Sequence, residues 1–310
     1  MLKNDCKGKE RWLQSKTAKL ILGIILLLGI TFSAGYRAMG SLDPKDDQWY
    51  ITEYNDHSGN QAMFYTIFNE AKGSLILIDG GWKENTDHVR RVIEEHGNHV
   101  SAWIITHYHS DHVDAFNHIM EDPGKIRVDA VYDSPMDYEQ YLSIAKDWDS
   151  PASFSKYREV TKGNEKVHHI QRDDTIEISG LRFEFYNTYD SLTSGIQDMP
   201  NNASLIFKVS GAEESMLFIA DCGAPEIADI AIQRYGDRLR ADYYQAPHHG
   251  NSVNWLEMVQ AVSPKCVFLD GPQWLMEGEK YKAKDLIAYC EEQGIEYFDY
   301  ETAPNTIVLK

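Results

Sequence analysis

Three histidines and one aspartate fall within six residues, His107-Tyr108-His109-Ser110-Asp111-His112, directly behind the apolar run Trp103-Ile104-Ile105-Thr106. No other feature constrains the chain as much. Side chains alternate across an extended strand, so a chain leaving a strand end sends His107 and His109 the same way, while Asp111 and His112 can address a second ion. Imidazole with carboxylate is a donor set suited to Zn²⁺, Mn²⁺ or Fe²⁺. The physical reading is a two-metal centre at the end of a buried strand. A solvated polar turn before a helix, with Asp111 as N-cap, is the alternative, and nothing in a cap requires three histidines.

The surrounding pattern alternates short apolar runs with amphipathic stretches. Residues 49–54, 62–68 and 74–78 read as consecutive strands that open an antiparallel meander. A helix over 84–96 and a buried strand over 100–106 begin a βα alternation. The middle carries a strand at 130–132, helical stretches at 137–148 and 154–161, and strands near 166–171, 174–179 and 181–187. Strands at 203–209 and 216–220 then repeat the opening in kind. A helix near 225–235, a strand 242–246, a helix 253–261, a strand 265–269, a helix 281–293 and two closing strands follow. Mixed strands with outer helices imply a layered α/β sandwich, and one domain over 48–310 is the economical reading. Four cysteines at 6, 222, 266 and 290 form no CxxC pair, which signals neither a disulfide framework nor a thiolate metal site; they read as small buried apolar side chains.

Thr-His-x-His-x-Asp-His after an apolar strand is similar to the signature of the metallo-β-lactamase superfamily. Three further strings extend the resemblance in the same order. Ser74 to Gly81 looks like the family's first strand motif, whose aspartate, here Asp79, supports the metal loop; Met216 to Asp221 looks like the strand ending in the metal-bridging aspartate; Ala246-Pro-His248-His249-Gly250 resembles the last ligand strand. The resemblance covers about 48–310 and implies a four-layer αββα sandwich with a dinuclear site between its sheets. It implies one ion held by His107 and His109, a second by Asp111, His112 and His249, and Asp221 bridging. His249 is taken over His248 because the family ligand usually sits immediately before the Gly or Asp of this turn. His248 is then free to orient substrate or move protons, and Asp111 and His248 are the candidate catalytic residues.

The chain departs from the lactamase pattern in two places. No histidine occurs between His169 and His248, so the third imidazole that many relatives place on the first ion is missing, and Asn201-Asn202-Ala203-Ser204-Leu205 stands in its region. Small glycines after the Asp-His pair are replaced by Val113-Asp114-Ala115, which puts Asp114 near the rim. The Asn-Asn-x-Ser-Leu string, the strand ending in Asp and the Pro-His-His-Gly turn look like the nuclease-type domain of the ComEC competence family. A similar arrangement recurs in the secreted phosphorylcholine esterases of Gram-positive bacteria, and both branches cleave phosphodiesters.

The expectation is therefore a metal-dependent hydrolase working through a metal-bound hydroxide on phosphodiesters, with two divalent ions, zinc first and manganese or iron as substitutes. Hydrolysis of carboxylic esters or lactones is the alternative within enzymes, and a non-catalytic envelope or DNA-uptake scaffold the alternative outside them. Charge bears on the substrate. The net charge is −18, and because residues 1–19 hold six basic and two acidic side chains, the remainder carries −22. Such a body repels long nucleic acid at a distance and fits a small or cell-wall-linked ester better.

Residues 1–19 form a basic leader, and residues 20–36 carry no charge, which fits either a transmembrane anchor or a signal peptide. Residues 37–47 read as a tether. By the positive-inside rule the leader stays in the cytoplasm and the catalytic domain lies outside it, membrane-anchored or secreted. His168 and His169 are expected to have no ligand role, and His88, His96, His99 and His118 to be surface side chains. Among the aromatics, Trp82, Tyr108, Tyr138, Tyr141, Trp255 and Trp274 are candidates to line a pocket for a quaternary ammonium.

Overall fold

The computed structural model describes residues 48–310, and the leader, the 20–36 segment and the tether lie outside the described residues. Strands β1 (Trp49–Glu53), β2 (Phe64–Asn69) and β3 (Ser74–Asp79) form the antiparallel meander. Helix α1 (Thr86–Glu95), the short β4 (His99–Val100), β5 (Ala102–Ile105), α2 (Ser110–Glu121), β6 (Arg127–Val128) and β7 (Val131–Asp133) follow. Helices α3 (Tyr138–Ile144) and α4 (Pro151–Thr161) lead to β8 (Val167–His169). A second series runs β9 (Thr175–Ile178), β10 (Leu181–Asn187), α5 (Met199–Asn202), β11 (Ile206–Ser210), β12 (Ser215–Phe218), α6 (Pro225–Tyr235), β13 (Tyr243–Gln245), α7 (Trp255–Val262) and β14 (Cys266–Leu269). It closes with α8 (Gln273–Glu277), α9 (Ala283–Gln293), β15 (Glu296–Asp299) and β16 (Asn305–Leu309).

Two seven-stranded mixed sheets result, ordered β16-β1-β2-β3-β5-β7-β8 and β15-β14-β13-β12-β11-β10-β9. Their strands show why the layers stack. In β3, Ile76 and Ile78 enter the apolar cluster between the sheets, whereas Leu75 and Leu77 face a second cluster with Val89, Phe116 and Phe154 from the helices. In β12, Met216 and Phe218 join the inter-sheet cluster, and Leu217 faces a third with Ile227, Val259 and Leu286. A strand buried on both faces reads as a continuous apolar run, and three clusters separate four layers: helix, sheet, sheet, helix. The sandwich expected from the pattern is the one observed.

The parallel strands decide where chemistry can sit. β3, β5, β7 and β8 run parallel in one sheet, and β12, β13, β14 and β15 in the other. Their carboxyl ends share an edge in each sheet, the usual place for ligands in α/β folds.

Several boundaries differ from the sequence reading. The strand expected from 203 begins only at Ile206, because α5 and its C-cap occupy 199–203. The helix expected over 137–148 ends at Ile144, and α8 was not foreseen. β16 returns to the first sheet and pairs antiparallel with β1, a long-range contact that periodicity does not carry. Cys222, Cys266 and Cys290 are free and buried, as small apolar side chains would be. Among the described residues no helix is long and apolar enough to cross a membrane.

Candidate metal centre

Every residue of the centre follows the carboxyl end of a strand. Asp79 ends β3, His107 to His112 follow β5, Asp221 follows β12, His248 and His249 follow β13, and Asp270 follows β14. Asp79, Ala220, His248 and His249 all hold positive φ, from 48° to 56°, a conformation that costs non-glycine residues ~1–3 kcal/mol each and clusters at functional sites. The strained histidine turn is pinned by neighbouring backbone: the His248 amide donates to the Ala220 carbonyl at 2.8 Å and the Asn251 amide to the His248 carbonyl at 2.8 Å.

The structure brings the sequence-designated residues into two groups, His107 with His109 and Asp221, and Asp111 with His112 and His249, each with potential ligand atoms within 4.8 Å of one another. Asp221 stands between them. Its carboxylate lies 3.3 Å from His112 Nε2, 3.5 Å from His249 Nε2 and 3.9 Å from His107 Nε2. Asp111 lies 3.5 Å from His249 Nε2 and accepts from Gln61 Nε2 at 3.2 Å.

Outer contacts orient the rings. Asp79 accepts from the Thr106 amide at 2.8 Å, the Thr106 hydroxyl at 2.6 Å and His112 Nδ1 at 2.7 Å. Since the Thr106 hydroxyl proton goes to Asp79, its oxygen accepts from His107 Nδ1 at 3.2 Å. His249 Nδ1 donates to the Asp270 carbonyl at 3.1 Å. Three imidazoles thus have Nδ1 occupied and Nε2 turned inward, the arrangement that metal-binding histidines adopt. The Nε2 atoms of His107, His109, His112 and His249 and Oδ1 of Asp221 are buried with no hydrogen-bond partner. Buried polar atoms are seldom left so, and five converging orphans fit divalent cations.

Electrostatics agree. Burial, then the neighbouring His112, pushes His107 well below the ordinary imidazole range, so it is neutral and ready to bind a cation. Burial alone would raise Asp221, but His112, His249 and His248 outweigh it and hold the carboxyl well below its usual value. Burial would lower His112 and His249; Asp221, aided by Asp79 at His112 and by Asp111 at His249, reverses this, raising His112 well above its usual value and His249 to about 10.

His248 stands apart from this inner set. It is about one-third exposed, with Nε2 3.6 Å from Asp221, so it borders the centre from the open side. Cys222 is turned away, its thiol against the carbonyls of Asn202 and Ser204 at 3.5 Å. The Asn202 side chain accepts from the Ala224 amide at 2.9 Å, and Asn254 Nδ2 donates to the Cys222 carbonyl at 3.1 Å, so the 201–205 string braces the loop that presents Asp221. Asp114 faces α4, bonded to Ser153. His169, exposed, bonds Asp133 at 2.5 Å, outside the centre. His88 is not the plain surface residue expected: half-buried, it packs against Tyr54, Phe64 and His57. Of the candidate pocket aromatics, Tyr108 and Tyr141 are core, Tyr108 stacked on Phe154 at 3.9 Å.

One residue escaped the sequence reading. Asp149, fully buried in the loop before α4, places Oδ1 3.2 Å from His109 Nε2. A lone aspartate between Trp148 and Ser150 carries no signal in the sequence.

Fold and site together define an α/β sandwich with a histidine–carboxylate centre at its strand ends. Residues 61–184 match the model of the metallo-β-lactamase superfamily. The match contains His107 to His112; Asp221 and His249 lie beyond it and are joined to the centre by the fold. No curated protein matches the chain in sequence. Among solved structures, the metallo-β-lactamase fold protein YhfI from Bacillus subtilis is 12% identical, covering 85% of this chain and 100% of its own, with a TM-score of 0.52. CmlA, a diiron β-hydroxylase from Streptomyces venezuelae, is 13% identical over 85% of this chain and 54% of its own, with a TM-score of 0.53. At such identity the likeness speaks for the fold.

Proposed function

We propose that the protein is a hydrolase of small or cell-wall-linked phosphodiesters that uses two divalent ions, zinc in the first place, and acts outside the cytoplasm. The observation that carries the metal-dependent part is the convergence of five partnerless, buried ligand atoms in two adjoining groups, with the Asp221 carboxylate within 4 Å of Nε2 of His107, His112 and His249. Two ions so held supply charge that makes water a nucleophile near neutral pH and offsets charge developing on phosphorus.

The chain's own residues do the rest. His107 and His109 would hold one ion, Asp111, His112 and His249 the other, and Asp221 both. Asp79 keeps Nε2 of His112 pointed inward, and the Asp270 carbonyl does the same for His249. His248, partly open to solvent and beside Asp221, is placed to receive or deliver a proton at its Nε2 next to a substrate held at the open side. The diester preference is supported by the Asn-Asn-x-Ser-Leu and Pro-His-His-Gly strings, and by a body charge that repels polyanions. The extracytoplasmic site of action is supported by the charge-free 20–36 segment behind a basic leader.

The test is hydrolysis of bis(p-nitrophenyl) phosphate and p-nitrophenyl phosphorylcholine by the purified chain, with and without added Zn²⁺ or Mn²⁺. Metal-dependent turnover of either supports the reading. Turnover confined to carboxylic esters or lactones replaces the substrate class, and no turnover after metal reconstitution leaves a scaffold.

A further inference from the structure

The ion assigned to His107 and His109 has a shortage of ligands. No histidine exists between His169 and His248 to complete it, and with Asp221 shared between two ions it keeps only two ligands of its own. Counting Asp221, it has three protein ligands, whereas the neighbouring ion, with Asp111, His112, His249 and Asp221, has the four of a complete tetrahedral set. We infer that Asp149 is the missing one: a carboxylate from the loop between α3 and α4 replaces the absent imidazole. The inference rests on the two-ion reading above and adds a residue to it.

Three observations carry it. First, Asp149 Oδ1 lies 3.2 Å from His109 Nε2, yet both atoms are buried and neither has a hydrogen-bond partner. Two donors bound to one tetrahedral ion at ~2.0–2.1 Å stand about 3.3 Å apart, so the spacing is that of two ligands sharing a cation. Second, the side chain is fully buried, and an aspartate so placed with a free oxygen needs a cation or a proton donor to offset its desolvation.

Third, the carboxylate is fixed in place. Its Oδ2 accepts from the Lys146 amide at 2.6 Å, its carbonyl accepts from the Tyr141 hydroxyl, and its own amide donates to the Lys146 carbonyl at 3.0 Å. The next residue, Ser150, adopts φ 50° and meets Ser110 hydroxyl to hydroxyl at 3.0 Å, while Asn117 Nδ2 donates to the Ser153 carbonyl at 2.9 Å. The loop is therefore docked on α2, the helix that begins directly after His109. One oxygen is tied to backbone and the other is aimed at the ring nitrogen, as outer-shell orientation of a metal carboxylate requires.

The experiment compares the full chain with Asp149→Asn and Asp149→Ala, counting bound zinc by plasma mass spectrometry after dialysis and following cobalt(II) titration by visible absorption. Asparagine keeps the Lys146 amide bond and removes the charge, so it separates ligand loss from misfolding; circular dichroism of the metal-free proteins checks the latter. The expected result is two ions on the parent chain and one on Asp149→Asn, with the second at least tenfold weaker. Asp149→His, which returns an imidazole to the same loop, restores the second ion in part. Two ions of parental affinity on Asp149→Asn overturn the assignment of Asp149 and leave the two-ion centre standing. No ion on the parent chain after reconstitution overturns both.

Discussion

The His112 ring is oriented by Asp79, whose carboxylate accepts from Nδ1 at 2.7 Å while also holding the Thr106 amide and hydroxyl. A single buried side chain thus couples the end of β3 to the ligand loop after β5. Replacing Asp79 by Asn frees two donors at once and lets the ring turn. Such outer partners are worth ~10–100-fold in metal affinity, so Asp79→Asn is expected to weaken zinc binding by that factor, read by competition with a chromophoric chelator.

The inner residues separate by what they hold. His107→Ala and Asp221→Ala are expected to lose bound metal and all hydrolysis. His248→Ala, at the open side, is expected to retain two ions and lower turnover by ~10²–10⁴-fold, the usual scale for an acid–base group. Metal content and rate measured on the same samples distinguish them; full activity in either of the first two variants contradicts the assignment.

Metal uptake should release protons. In the metal-free chain His112 and His249 are held protonated by Asp221 with Asp79 and Asp111, His249 up to about 10, whereas buried His107 is neutral. Ligands bind deprotonated, so loading at pH 7.5 displaces about two protons from these two rings. Calorimetric titration with zinc in buffers of different ionisation enthalpy measures the number; an apparent enthalpy independent of buffer contradicts it.

Much of this centre is legible in the sequence, for a physical reason. His107, His109, Asp111 and His112 are packed into one turn, and Asp221 and His249 follow within four residues of the strands β12 and β13. What is not legible depends on contacts distant along the chain. Asp149 reaches the centre only because its loop docks on α2, and β16 finds β1 across the whole domain. His88 looked like a surface residue on an amphipathic helix until Tyr54 and Phe64 covered it. α5, Met199–Asn202, stands just ahead of the run read as a strand from 203, and its C-cap at Ala203 delays that strand to Ile206.

At the end of β1 in the first sheet, Glu53 is fully buried; burial first and then Asp270 push its carboxyl up to about 8, against donors Tyr65 and Asn305 that pull it down. The folded chain therefore binds a proton that the unfolded chain, with Glu53 at its ordinary 4.5, has released. This contribution to stability is full below pH 4.5 and is lost as pH rises through about 8. Urea unfolding of the metal-free chain at pH 6 and pH 9 is expected to show a loss on the order of a few kcal/mol, reduced in Glu53→Gln. Equal pH dependence in both proteins contradicts it.

The proposed two-ion hydrolytic centre is tested most directly by bound metal in the purified full chain, counted together with bis(p-nitrophenyl) phosphate turnover before chelation, after chelation and after zinc is returned. Two ions per chain, with turnover lost on chelation and recovered on reloading, is the predicted result. A reconstituted chain that binds no stoichiometric metal and turns over no ester contradicts it.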